Sequence, residues 1–188
     1  MTLTKIRTAA ASSLAAAGLL FSLAACSAPA TQPAASEPAS TAAASTSAAP
    51  SVSDGPCDGV KVIVDSGVLK QSAADKSVCV PVDGPTVAAD LLKEANIKTE
   101  GTEQYPTELV CRVNGVPAAD LDITHKGGTY QEECKGMPAA FAYWALWTKP
   151  ATGDWAYAQE GLATLKVSPG ESLELLFTVD GEPAAPAA

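Results

Sequence analysis

Histidine, basic residues and aromatic side chains are all scarce in this chain. Its 188 residues include one histidine, His125, twelve lysines and arginines against 21 acids, and 5% aromatic residues. One histidine leaves almost nothing from which to build a nucleophile–base pair, and no Gly-x-Ser-x-Gly elbow accompanies it. His125 sits in the loop-like run Thr124-His125-Lys126-Gly127-Gly128, where a surface position is expected. The neighbouring Lys126-Gly127-Gly128-Thr129 lacks the preceding glycine spacing of a phosphate-binding loop. No pair of carboxylates stands out for general acid–base work, so the sequence predicts a protein that is not an enzyme. The shortage of bases also argues against nucleic acid as a partner, because that affinity rests on many Lys and Arg contacts to phosphate. No Cys-x2-Cys pair is present, which disfavours a zinc site.

The N-terminal region carries an export signal. A basic start (Lys5, Arg7) is followed by an apolar stretch from Leu14 to Ala25, too short and too Ala-rich for a stable membrane span. The run Leu23-Ala24-Ala25-Cys26 is a bacterial lipobox, with the cysteine where cleavage is expected. Residues 1–25 are therefore read as a lipoprotein signal peptide and Cys26 as the lipid-modified residue, a diacylglycerol anchor on the outer side of the cell membrane. Two of the twelve bases precede Cys26 and all 21 acids follow it, so the chain from Cys26 onward carries a formal charge of −11. Such a surface would not adhere to an anionic bilayer, and the tether alone would hold it there.

Residues 27–56 are almost entirely Ala, Ser, Thr and Pro, with Glu37 and Asp54 the only charges. A segment with no aromatic residue buries too little surface to offset its ordering entropy. Residues 26–56 are read as the lipidated cysteine and a disordered linker, with a coil reach on the order of 30 Å. Residues 181–188 are read as a short disordered tail.

Residues 57–180 remain as one domain, long enough for a modest core. It holds four cysteines, Cys57, Cys79, Cys111 and Cys134. An even number in an exported domain predicts two disulfides, with three pairings open. Cys57–Cys79 and Cys111–Cys134 are favoured, each closing a short loop and stabilising by roughly 3 kcal/mol in the chain-entropy model.

Alternation marks the strands. Val60, Val62 and Val64 share one face of a first strand, and Val78, Val80 and Val82 one face of a second over Ser77–Val82. Thr86 is placed to cap a helix in which Val87, Leu91 and Ala95 recur every four residues, with Asn96 as its stop. A strand is expected over Glu108–Asn114, ending in the Asn114-Gly115 turn. Val116–Pro138 reads as a polar loop. Phe141–Thr148 and Trp155–Gln159 read as an antiparallel hairpin, Thr164–Val167 as a short strand, and Leu173, Leu175, Phe177 and Val179 as the single apolar face of a last strand. Strands flanking one main helix indicate an α+β domain with the helix on one sheet face.

This order, with Val113-Asn114-Gly115-Val116, Tyr143-Trp144-Ala145-Leu146-Trp147, Gly153-Asp154-Trp155-Ala156-Tyr157-Ala158, Glu160-Gly161 and Pro169-Gly170-Glu171, resembles the transcobalamin C-terminal-like β-grasp domains of Gram-positive surface proteins. It is especially similar to actinobacterial secreted proteins linked with energy-coupling-factor vitamin transporters. The resemblance implies a β-grasp-like mixed sheet and a non-catalytic binding module that captures a vitamin or corrinoid for a membrane transporter. It implies cobalamin as a ligand, with no resident cofactor. Transcobalamins close this domain over cobalamin against a separate helical domain, and this chain has none. It departs further in its four domain cysteines and its longer stretch between Val116 and Pro138.

All three tryptophans fall within Trp144–Trp155. Tyr143, Trp144, Trp147, Trp155 and Tyr157 are the candidate ligand- or partner-contacting residues. Phe141, Tyr143 and Trp147 share one strand face and Trp144 lies on the other. Phe141 and Trp147 are expected to pack in the core, while Trp144 or Trp155 is expected to remain exposed for stacking on a ligand or anchoring a partner. Two further functions fit the composition: an envelope interaction or adhesion module, and an exported protease inhibitor presenting the segment from Val116 to Tyr130.

Overall fold

The computed structural model describes residues 56–187. The expected signal peptide, the expected lipidation site at Cys26 and nearly all of the expected linker lie outside the described residues. Among the described residues no helix is long and apolar enough to cross a membrane.

The main sheet follows from the alternating strands. Strands β1 (Val60–Asp65) and β2 (Lys76–Val80) form the first hairpin. Strand β3 (Thr86–Val87) leads into helix α1 (Ala88–Glu94). The short strands β4 (Thr99–Glu100) and β5 (Arg112–Val113) pair with each other, as do β6 (Ile123–His125) and β7 (Gly128–Tyr130). Strands β8 (Ala142–Lys149) and β9 (Ala156–Tyr157) form the aromatic hairpin, β10 (Lys166–Val167) pairs with β3, and β11 (Ser172–Val179) closes the chain. The five-stranded order is β2-β1-β11-β8-β9, with β1 and β11 parallel at the centre and the other pairs antiparallel. Two hairpins flanking a parallel pair of first and last strands, with one main helix between the hairpins in sequence, constitute a β-grasp-like α+β domain. Its two disulfides are Cys57–Cys79 and Cys111–Cys134, with Cα–Cα separations of 5.6 Å in each.

Register puts Val62 beside Leu173, Val64 beside Leu175 and Phe177 beside Trp144 on the face that meets Leu91 and Leu92 of α1. Each such buried aliphatic or aromatic side chain contributes roughly 1.5–3 kcal/mol. Gly59, just before β1, lies so close to β2 that a Cβ there would overlap the Val80 carbonyl. Gly59→Ala is expected to destabilise by about 3 kcal/mol, the upper end of ordinary overpacking, as a lower urea midpoint with an unchanged m-value.

Several sequence expectations are corrected. Thr86 does not cap α1: its hydroxyl donates to the Gly84 carbonyl while Thr86 and Val87 are held extended against β10. The first helical amides, of Ala88 and Ala89, donate instead to the carbonyls of Leu165 and Leu162 at 2.8 and 3.0 Å. The helix start is satisfied by a segment more than seventy residues downstream, which no local pattern announces. The strand expected over Glu108–Asn114 shrinks to β5, because only Arg112 and Val113 find partners, in Glu100 and Thr99. The loop expected over Val116–Pro138 contains the β6–β7 hairpin.

Strand β11 has two buried faces rather than one. Glu174, Leu176 and Thr178 are as buried as Leu173 and Leu175, as befits a central strand. The tail expected to fray is placed against the domain: Val179 and Glu182 exchange backbone hydrogen bonds, Pro186 is buried, and the Trp155 indole donates to the Ala187 carbonyl at 3.1 Å.

Candidate functional site

The aromatic hairpin does not gather its rings into one platform. Trp144, expected as an exposed candidate, is a core residue with 7% of its surface accessible. Its indole Nε1 donates to the Val116 carbonyl at 3.1 Å, and its ring meets Phe177 edge-on with centroids 5.3 Å apart. The strand period gave its face correctly; α1 and the segment around Val116 cover that face. Trp147, expected in the core, lies half-buried on the opposite face, edge-on to Tyr157 at 5.2 Å. Its Nε1 is buried with no hydrogen-bond partner. Trp155 is half-buried, tied to Ala187, and has the Lys149 ammonium 5.8 Å from its ring centroid. Phe141 stacks on His125, centroids 3.9 Å apart and planes within 6°. His125 accepts the Gly127 amide at Nδ1, so it holds the β6–β7 turn.

Tyr143, Trp144 and Tyr157 do meet at one place, a cavity of about 360 Å³ beside the edge of β8. Trp147 and Trp155 do not line it. Its other walls come from Glu108–Val110, from Met137–Ala140, from Ala158 and Glu160–Leu162, and from Leu146 and Leu175. The lining is largely apolar, and the volume falls in the range of about 300–1,000 Å³ usual for ligand sites. Three large hydrophobic residues among the described residues are exposed, and two of them, Met137 at 67% and Tyr157 at 46%, belong to this lining. The charged members of the lining are Glu108 and Glu160, both exposed. Met137 was the one sequence signal available for the missed walls, as the sole methionine of the domain and a side chain that adapts to irregular apolar contacts.

The loop behind this cavity is rigidly held. Arg112 is buried and donates to the carbonyls of Pro117 and Glu132, both at 2.7 Å, and to the Glu100 carboxylate at 3.0 Å. The Glu132 carboxylate accepts the Cys134 amide and the Tyr130 hydroxyl, both at 2.7 Å. Burial, and then the Glu132 carboxylate, push the Tyr130 phenol well above its ordinary range. The potential ligand atoms of Cys111, Glu132 and Cys134 lie within 4.8 Å of one another. Both sulfurs are joined in a disulfide and both carboxylate oxygens already accept hydrogen bonds, so the cluster is a crosslinked brace for the loop.

Comparison with protein-family models, with curated proteins and with solved structures returned no match. The site is therefore read from its own geometry.

Gly161 offers a direct way to close the cavity. A Cβ built there would meet only the Glu108 carbonyl, at 3.9 Å, with ordinary contact and no strained backbone angle. Gly161→Leu is expected to fill the mouth and to weaken binding of a neutral solvatochromic probe, N-phenyl-1-naphthylamine, at least tenfold. Its thermal midpoint should remain within a few degrees of the parent.

Proposed function

We propose that the domain is a non-catalytic binding module whose cavity captures a compact apolar group. The observation that carries this reading is the open apolar cavity beside β8, flanked by Met137 and Tyr157, which the protein leaves exposed to water. Exposed apolar surface of this kind marks interaction sites. The lining offers carboxylates and phenols and no histidine, lysine or cysteine, which supports binding over chemistry. The lipobox at Cys26, the linker and the two disulfides support display outside the cell, on a lipid anchor.

The volume favours a compact group over an enclosed corrinoid, whose macrocycle is far larger than the cavity. Capture of a small vitamin for a membrane transporter, or of a segment of an envelope protein, both fit this reading. Titration of the full chain with the neutral probe tests it. Saturable binding that Gly161→Leu abolishes is expected; equal binding to the parent and to Gly161→Leu would place the apolar site elsewhere and overturn it.

A further inference from the structure

We infer that the cavity's occupant is an extended peptide, apolar at its centre and basic at its ends, which pairs as a strand with the free edge of β8. This rests on the reading of the cavity as a binding site and names its ligand class.

The hydrogen-bonding pattern of β8 carries the argument. In an antiparallel ladder, alternate residues turn their amide and carbonyl towards the same neighbour. The Asp180 amide donates to the Phe141 carbonyl, so Phe141, Tyr143 and Ala145 turn their backbone groups towards β11. Ala142, Trp144 and Leu146 turn theirs to the other side. The Ala142 amide bonds back to the Ala139 carbonyl and the Leu146 carbonyl accepts the Ala158 amide, both on that side. Strand β9 pairs only with Trp147 and Thr148, and the chain then leaves β8 to form the far wall of the cavity. Among the described residues, the amides of Trp144 and Leu146 and the carbonyls of Ala142 and Trp144 have no backbone partner on that side. Trp144 is nevertheless almost wholly buried and lines the cavity.

Buried backbone groups are nearly always paired. Two donors and two acceptors at strand spacing along an apolar cleft match an added strand, the recognition mode in which main-chain bonds supply affinity and alternate side chains enter pockets. An apolar side chain of that strand would fill the cavity. Glu108 and Glu160 would face its ends, and no base lies in the lining to balance them, so a lysine- or arginine-flanked segment is the complementary partner. The chain's own linker, residues 27–56, carries no base and lacks that complementarity.

The test uses the full chain and fluorescein-labelled Lys-Val-Leu-Val-Lys followed by fluorescence anisotropy. Saturable binding is expected, weakened at least tenfold by Gly161→Leu, by replacing both peptide lysines with glutamate, and by N-methylation of alternate peptide amides in one of the two registers. Glu108→Gln with Glu160→Gln should remove most of the salt dependence of peptide binding, and an unchanged salt dependence would overturn the basic ends. Amide exchange at Trp144 should slow when the peptide is bound. Full affinity for both N-methylated registers, or an unprotected Trp144 amide, would overturn strand pairing. Probe binding with no peptide binding would overturn this inference and leave the binding-site reading standing, whereas loss of both removes both. A dimer that Gly161→Leu abolishes would assign the edge to a second copy of the chain and overturn the peptide.

Discussion

Trp144→Ala is expected to cost about 3–5 kcal/mol, a large share of the stability of a domain of this size. Three losses combine in that figure. The edge-on contact with Phe177 disappears, a cavity opens beneath β8, and the Val116 carbonyl loses its 3.1 Å donor. With each 1 kcal/mol shifting the midpoint by roughly 3–5 °C in a domain of this length, thermal unfolding followed by circular dichroism should fall by more than 10 °C. Trp155→Ala is the contrast. That ring is half-buried and bonds only the Ala187 carbonyl, so its loss should free the tail and leave the sheet intact. Equal destabilisation by the two variants would refute the assignment of Trp144 to the core.

Glu174→Gln is expected to stabilise the protein by roughly 3 kcal/mol at pH 8 and to change little at pH 4, since a tenfold change in a protonation equilibrium is worth about 1.4 kcal/mol. Glu174 lies on β11 between Ile63 and Trp147, nearly inaccessible to water. Burial first, and then the Asp65 carboxylate, raise its pKa from 4.5 to about 7. The folded state therefore holds a proton that the unfolded chain releases. The stability this supplies is complete below pH 4.5 and is lost as pH rises towards 7, after which the ionised carboxylate remains a fixed cost. Urea midpoints measured from pH 4 to pH 8 should fall across this window in the parent by more than in Glu174→Gln. Parallel curves for the two proteins would show that Glu174 reaches solvent in the folded state.

The same residue marks where reading from sequence stopped. The alternation of Leu173, Leu175, Phe177 and Val179 located β11 and named its helix-facing side. Glu174 and Thr178 suggested that the other side meets water. That side is buried instead, because β11 lies at the centre of the sheet. Similarly, the period of two separated Trp144 from Tyr143 and Trp147, but the core was expected on the Trp147 side and the face that is covered is that of Trp144. The cavity was the least legible feature. Its walls come from residues within 108–110, 137–140, 143–146 and 157–162 and from Leu175 of β11, segments that are each unremarkable alone.

By itself the sequence determined the strand-rich α+β order with one main helix and the alternating faces of each long strand, and among three open cysteine pairings it favoured the one that forms. These depend on local spacing, on short loops closed by cysteines, and on a side-chain period that neighbouring residues fix among themselves. Only the tertiary structure decided which faces are covered, that a carbonyl pair near β10 supports the start of α1, and that β8 runs past its partner to leave an open edge beside an apolar cavity. Those outcomes come from contacts between residues far apart in the chain, whose energies no local window contains.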